Sequence, residues 1–173
     1  LIKKNLKNMQ KKTETSLVRA LAGASLISFA LSSHAAMSAE ELINNTDWLA
    51  GGVAGLRLSG SGSINVLNSG APIPAGAIAK AFLYWGGNTH DLTGTGVANV
   101  TFNGSAVTGV NIGFSGNNNT SGWENSQAYR ADVTAQMTGL GTGVNSFGFS
   151  VAAGLADEYG EFPVNGASLL ITY

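Results

Sequence analysis

The sequence predicts an all-β protein, an antiparallel β-sandwich or jelly-roll-like fold with one or two short helical turns. Two observations support this class. Short runs of residues alternate between apolar and polar side chains with a period of two, as strands with one buried face do. From Ala36 to Tyr173, 23 of 138 residues are Gly and 14 are Asn, the types that most readily adopt the positive φ angles of tight turns. Many short strands separated by closely spaced turns are typical of a sandwich.

Five runs carry the alternation. In residues 79–85, one face is formed by Ala79, Ala81, Leu83 and Trp85, and the opposite face by Phe82 and Tyr84. Residues 97–102 end at Asn103-Gly104, the preferred dipeptide of a two-residue hairpin, so residues 107–114 are the predicted partner strand. The last two runs are residues 146–151 and 167–173.

Helix is predicted in only two places. Residues 38–49 begin with Ser38 as a candidate N-cap, and Glu41 three positions later gives the spacing of a capping box. Residues 132–138 begin with Asp132, a favourable N-cap residue, and are followed by Gly139, a common C-terminal stop. The sequence has no repeat of fixed period and no long linker, so we expect a single β domain over residues 36–173.

The first 35 residues have the three-part layout of a secretory signal peptide. Residues 1–19 hold six of the nine basic residues, residues 20–31 are apolar, and small residues precede a cleavage point after Ala35. Twelve apolar residues form a helix of about 18 Å, shorter than the hydrocarbon core of about 30 Å. We therefore expect export to the cell surface or the medium, with no transmembrane segment after cleavage. The absence of cysteine in an exported chain suggests a bacterial source.

Composition excludes several function classes. From residue 36 onward there are three basic residues against nine acidic ones, a poor match for nucleic acid or for anionic membrane surfaces. Without cysteine the chain has no disulfide scaffold, no thiolate metal site and no cysteine nucleophile.

Catalytic candidates are few, and we expect no enzyme activity. His90 is the single histidine after residue 35, which is too few for a usual zinc site. A Ser-His-Asp triad would need His90 as its base, and no G-x-S-x-G motif is present. A glycan hydrolase would need two carboxylates about 5–10 Å apart, for which Glu124 and the acidic residues between 157 and 161 are the candidates.

Two segments are candidates for binding. Residues 117–125 form a long polar loop with one large aromatic side chain, a combination suited to glycans; the candidate ligand-binding residues are Asn118, Trp123, Glu124 and Asn125. The alternative is that Trp123 folds back as a lid over one end of the sandwich. The second segment carries Asp157, Glu158 and Glu161, which offer oxygen ligands for Ca²⁺, although the spacing matches no EF-hand loop. The alternative there is a solvated acidic loop.

Three segments in order carry a family resemblance: residues 81–87 (AFLYWGG), 129–134 (YRADVT) and 165–173 (NGASLLITY). Together they resemble a family of bacterial extracellular β-sandwich domains of unassigned function, found near the N-terminus of surface or secreted proteins with further repeated β domains. The resemblance spans about residues 50–173 and implies a cell-surface or matrix location, a structural or adhesive role and no catalytic residues. The chain departs from the pattern by stopping inside its last strand, either as a truncated reading frame or as a compact single-domain relative.

The sequence therefore favours an exported, non-enzymatic surface, matrix or adhesive module. A carbohydrate-binding module that uses loop aromatics is the first alternative, and a secreted glycan hydrolase is the second. Pairing of an open edge strand with another copy of the chain is a further hypothesis.

Overall fold

Nine antiparallel strands make up the fold. The structure is a computed structural model that describes residues 43, 46–115, 125–157 and 160–173. The strands are β1 Trp48–Ala54, β2 Ser61–Asn68, β3 Lys80–Thr89, β4 Asn99–Phe102, β5 Ser105–Thr108, β6 Val110–Phe114, β7 Asn125–Asp132, β8 Gly143–Val151 and β9 Gly166–Thr172. The predicted all-β, antiparallel class is confirmed.

All nine strands belong to one hydrogen-bonded sheet, in the order β5-β4-β8-β2-β1-β9-β3-β7-β6. The sheet folds over between β1 and β2, whose ladder contains only two residue pairs. We call β1, β9, β3, β7 and β6 the front layer, and β2, β8, β4 and β5 the back layer. The described residues all belong to one compact unit, Ile43–Tyr173.

The last strand is central in the sheet, so the open edge that pairing with another copy would need is not found there. β9 pairs with β1 on one side and with β3 on the other along nearly its whole length. Its backbone donors and acceptors are therefore used within the sheet, and β9 presents no edge to a neighbouring molecule.

One extended run crosses from the back layer to the front layer at Gly109. β5 pairs with β4, whereas β6, which begins one residue after Gly109, pairs with β7 at the other end of the sheet order. The prediction that residues 107–114 form a single partner strand is therefore wrong. Strands that bend and change layers in this way form the corners of folded sheets.

The core lies between the two layers. Trp85 of β3 contacts Phe149 of β8, with ring centroids 6.4 Å apart, and Phe102 stacks on Phe147 at 5.8 Å. Three of the four predicted inward positions in residues 79–85 are confirmed, since Ala81, Leu83 and Trp85 are buried; the prediction is wrong for Ala79, which is exposed and precedes β3. The turn at Asn103-Gly104 is confirmed as well, with φ angles of 47° and 82° that match a primed hairpin turn.

In the described part of the chain, helical structure is limited to short turns. These are α1, Leu56–Ser59, and three 3-10 turns, Ala75–Ala77, Thr134–Gln136 and Ala153–Leu155. The second 3-10 turn lies within the predicted residues 132–138, and Asp132 Oδ1 accepts the amide hydrogen of Thr134 at 2.9 Å. The helix predicted over residues 38–49 is wrong at its end, because β1 begins at Trp48; residues 38–42, 44 and 45 lie outside the described residues.

Candidate functional site

A groove lies on the outer surface of the front layer. Alternation along β3 turns Trp85 into the core and Tyr84 outward, where Tyr84 pairs across the strands with Ser168 of β9. Two residues further along β3, Gly86 pairs with Gly166 of β9 and with Ala128 of β7. The three segments that carry the family resemblance thus contribute adjacent strands, β9, β3 and β7.

Small residues form the floor of this groove and two large side chains stand at its rim. Gly86, Gly166 and Ala128 lie on the floor, while Tyr84 and Ile112 stand above it around a volume of about 420 Å³. Trp85 and Tyr129, which also line it, are buried from the other side. The groove therefore opens to the outside, and we call it the Tyr84 groove.

The glycines of the floor are required by the close packing of the strands. A Cβ atom on Gly86 would lie 2.9 Å from the Gln127 carbonyl oxygen, and one on Gly166 would lie 2.7 Å from that of Val53. Backbone atoms of paired strands cannot move away without breaking the ladder. The floor is consequently a fixed, smooth surface of backbone and methyl groups.

The surroundings of the groove are largely apolar, with the charged residue Arg130 at the β7 position that pairs with both Tyr84 and Val110. Val110, beside it on β6, is 70% exposed, and Ile112 at the rim is 41% exposed. Among the lining residues that the structure describes, none carries a charge. The nearest charges on this layer have partners: Lys80 forms an ion pair with Asp132 at 2.9 Å, and the Arg130 guanidinium lies 4.9 Å from the centre of the Phe82 ring.

The outer surface of the back layer has a different chemistry. A depression of about 440 Å³ lies around Gly148 and is bordered by hydroxyl side chains, those of Ser61, Ser63, Thr101 and Ser150. A Cβ atom on Gly148 would meet nothing within 4 Å. Around this depression the surface has the polar, solvent-facing character expected of the exterior of a sandwich. Elsewhere on the back layer, Leu67 and Val144 form an exposed apolar cross-strand pair.

A buried polar network fixes the loop after β3. Asn125 Nδ2 and Gln127 Nε2 each donate to the Asp91 carbonyl oxygen at 2.7 Å, and the Tyr129 hydroxyl donates to the Gly94 carbonyl oxygen at 3.1 Å. The Asp91 carboxylate accepts from the Thr93 hydroxyl at 2.6 Å and from the Thr95 amide at 2.8 Å. These hydrogen bonds, that of Thr93 first, lower the pKa of Asp91 to about 2. The side chains of this network bond to one another and to the backbone of residues 91–95, so the network stabilises the loop after β3.

Three of the four predicted glycan-binding residues, Asn118, Trp123 and Glu124, lie outside the described residues. The fourth, Asn125, is placed at the start of β7 with its side chain fully buried. Its amide nitrogen is used by the Asp91 carbonyl and its oxygen accepts from Gln127 at 2.9 Å. Asn125 therefore belongs to the internal network, and we leave it out of the binding surface proposed below.

Two of the three predicted calcium ligands are described, and Glu158 lies outside the described residues. Glu161 forms an ion pair with Arg57, whose Nε donates to Glu161 Oε2 at 2.8 Å. Asp157 Oδ1 accepts the Glu161 amide hydrogen at 2.8 Å. Within residues 43, 46–115, 125–157 and 160–173, no group of three or more His, Asp or Glu side chains is placed to hold a metal ion.

His90, which the sequence analysis considered as the base of a catalytic triad, is exposed and follows directly after β3.

The sequence did not predict a site at the rim of the Tyr84 groove, which is formed by Tyr84, Ile112 and Ser168. The alternation along residues 79–85 correctly turns Tyr84 away from the core, but no local signal shows which side chains stand beside it. Ser168 and Ile112 come from strands that follow Tyr84 by 84 and 28 positions. Only the strand order and the register bring them together.

Comparisons of the chain with family models, with curated proteins and with solved structures give no match. Among the residues that the structure describes, no helix is both long and apolar enough to cross a membrane.

Proposed function

We propose that the protein is an exported, non-enzymatic module of the cell surface or extracellular matrix that adheres through the outer surface of its front layer. The observation that supports this proposal best is the apolar character of that surface. In a sandwich in water, outward positions are expected to be polar, and contiguous exposed apolar surface is typical of an interaction site. Export, a bacterial source and membership of the extracellular β-sandwich family form part of the proposal, supported by the sequence patterns described above.

Rigidity favours such a role. The strands under the adhesive surface, β9, β3 and β7, each pair with two neighbours, and Gly86 and Gly166 keep them in close contact. A surface held in this way loses little conformational freedom when a partner binds, which favours affinity.

The test uses the full chain and a matched pair of variants. Val110→Asp places a charge on the front layer, and Val144→Asp places the same charge at a position of nearly equal exposure, 67%, on the back layer. Retention on washed envelope material from the producing cells is then measured. We expect Val110→Asp to weaken retention about tenfold and Val144→Asp to leave it unchanged. Equal retention of both variants, or no retention of the wild-type protein, would refute the proposal.

Self-assembly by strand pairing is a second candidate, and β5 is the observation that favours it. Among the described strands, β5 pairs only with β4, and its hairpin carries no charged residue to discourage pairing with another chain. Ala106→Lys introduces such a charge. If the wild-type chain associates through β5, this variant will sediment as a monomer at concentrations where the wild type dimerises. A wild-type chain that stays monomeric at all concentrations would exclude this candidate.

A further inference from the structure

We propose that the Tyr84 groove binds a neutral glycan. This inference rests on the proposed function and gives its adhesive surface a ligand class. It concerns residues other than the candidates in segment 117–125. It follows from the aromatic rim, the Tyr84 and Ser168 hydroxyls, the uncharged lining among the described residues and the fixed floor of the groove.

The rim offers both kinds of contact that a sugar ring needs. The half-buried Tyr84 ring provides an apolar platform for the C–H face of a pyranose, and Ile112 provides apolar contact across the groove. The Tyr84 and Ser168 hydroxyls lie on neighbouring strands. Within the described part of the chain neither hydroxyl has a hydrogen-bond partner, so both are available to sugar hydroxyls.

The charge of the groove selects among glycans. An anionic polysaccharide would need Lys or Arg side chains in the lining, and a cationic one would need Asp or Glu. The lining residues that the structure describes include neither kind, and Arg130, which pairs with Tyr84, has its guanidinium over the Phe82 ring. Lys80 and Asp132 neutralise each other nearby. A charged ligand would lose part of its hydration on entering such a groove and would gain no ion pair in return. A neutral polyhydroxyl ligand does not bear this cost.

The backbone argues against a peptide strand as the occupant. A peptide that adds to a sheet needs an edge with free N–H and C=O groups. The floor consists of β9, β3 and β7, each paired on both sides, so a peptide lying on the floor finds no open edge there. The edge strand of this layer is β6, which contributes Ile112 to the rim. Its volume of about 420 Å³ lies within the range of about 300–1,000 Å³ usual for ligand clefts.

The experiment is affinity gel electrophoresis of the full chain in gels that contain dextran, laminarin or galactomannan as neutral probes and alginate as the anionic probe. We expect retardation by at least one neutral polysaccharide and none by alginate. Ser168→Phe fills the groove from an exposed strand position, and Tyr84→Ala removes the platform; each is expected to weaken binding at least about tenfold. Ser63→Phe is the matched control, because Ser63 is an exposed serine on β2, a back-layer strand that is paired on both sides. This variant should bind like the wild type.

Three results would overturn the inference: no retardation by any neutral probe, equal retardation by alginate, or equal loss of binding in Ser63→Phe. Concentration-dependent dimerisation that Ser168→Phe abolishes, without glycan binding, would assign the groove to a second copy of the chain and overturn it too. The proposed function is tested separately: if Val110→Asp still lowers envelope retention, adhesion through the front layer stands and only the glycan assignment falls.

Discussion

Gly109 lies directly against the indole ring of Trp85. A Cβ atom on Gly109 would be 2.3 Å from Cη2 and 2.6 Å from Cζ2 of that ring. The contact occurs at the point where the chain leaves β5 and enters β6, and Trp85 itself stacks on Tyr129 at a centroid distance of 5.6 Å. Because residue 109 has no side chain, the chain can pass from β5 in the back layer to β6 in the front layer while the Trp85 ring packs against Gly109.

Gly109→Ala is expected to destabilise the fold by about 1–3 kcal/mol, the usual cost of overpacking a filled core. Trp85 cannot move aside easily, because its Nε1 donates to the Val97 carbonyl oxygen at 2.7 Å and its ring is held by Tyr129. Urea unfolding followed by tryptophan fluorescence measures the change. Gly148→Ala is the control and should change stability by less than about 0.5 kcal/mol, since its Cβ meets no atom within 4 Å. Equal effects of the two substitutions would contradict the packing argument.

Gly104→Ala tests the β4–β5 hairpin by a different mechanism. Gly104 has open space around it but a φ of 82°, and a residue with a Cβ pays about 1–2 kcal/mol in that region. We expect a loss of that size in urea unfolding with no change in the near-ultraviolet circular dichroism of the core. If Gly104→Ala leaves the free energy of unfolding unchanged, the turn readily adopts another conformation.

Tyr129→Phe is expected to cost about 1–3 kcal/mol, although the ring and its stacking on Trp85 are kept. The missing hydroxyl leaves the Gly94 carbonyl oxygen and Gln127 Oε1 without their partner in a buried site. Burial also raises the pKa of Tyr129 above its ordinary value of 10.0, so the hydroxyl stays protonated as a donor. Hydrogen exchange of the amides in residues 91–98 should accelerate in this variant; unchanged exchange there would mean that the network does not hold the loop.

Acid should weaken the fold through Asp91. Its pKa is about 2 in the folded protein against an ordinary value of 3.8, so the folded state binds fewer protons than the unfolded state in this window. The stabilisation is complete above 3.8 and is lost as the pH falls towards 2. In Asp91→Asn the stability should fall less steeply over that window than in the wild type, in urea unfolding repeated at each pH. Parallel curves for the two proteins would exclude Asp91 as a contributor.

The Arg57–Glu161 ion pair is expected to contribute little. Both side chains are about one-third exposed, at 33% and 32%, and pairs of this kind usually contribute about 0–1 kcal/mol. Glu161→Gln should therefore change the free energy of unfolding by less than about 1 kcal/mol, whereas a loss of several kcal/mol would mean that the pair anchors the chain around Glu161.

Local patterns predicted β3, β4, β8, β9 and one hairpin turn, whereas β1, β2 and β7 were not among the predicted strands. The alternation in residues 79–85 identified the inward face of β3, and Asn103-Gly104 identified the hairpin, because both depend only on neighbours along the chain. The path of residues 107–114 was missed for the opposite reason. The change of layer at Gly109 depends on Trp85, 24 positions earlier, and an apolar run looks the same whether it stays in one layer or crosses to another.

The candidate site was less predictable than the fold. Asn125 looks like a loop residue in the sequence, yet it starts β7 and its side chain is used inside the protein. Tyr84, Ser168 and Ile112 have nothing unusual in their local sequence, and their significance arises from the register that places them around the same floor.

Adhesion through the front layer is tested most directly by hydrogen–deuterium exchange of the full chain, free and bound to washed envelope material from the producing cells. We predict slower exchange on binding in peptides from β3, β6 and β7, and unchanged exchange in those from β2 and β8. Protection confined to β2 and β8, or an identical pattern in the free and bound protein, would contradict the assignment of the front layer as the adhesive surface.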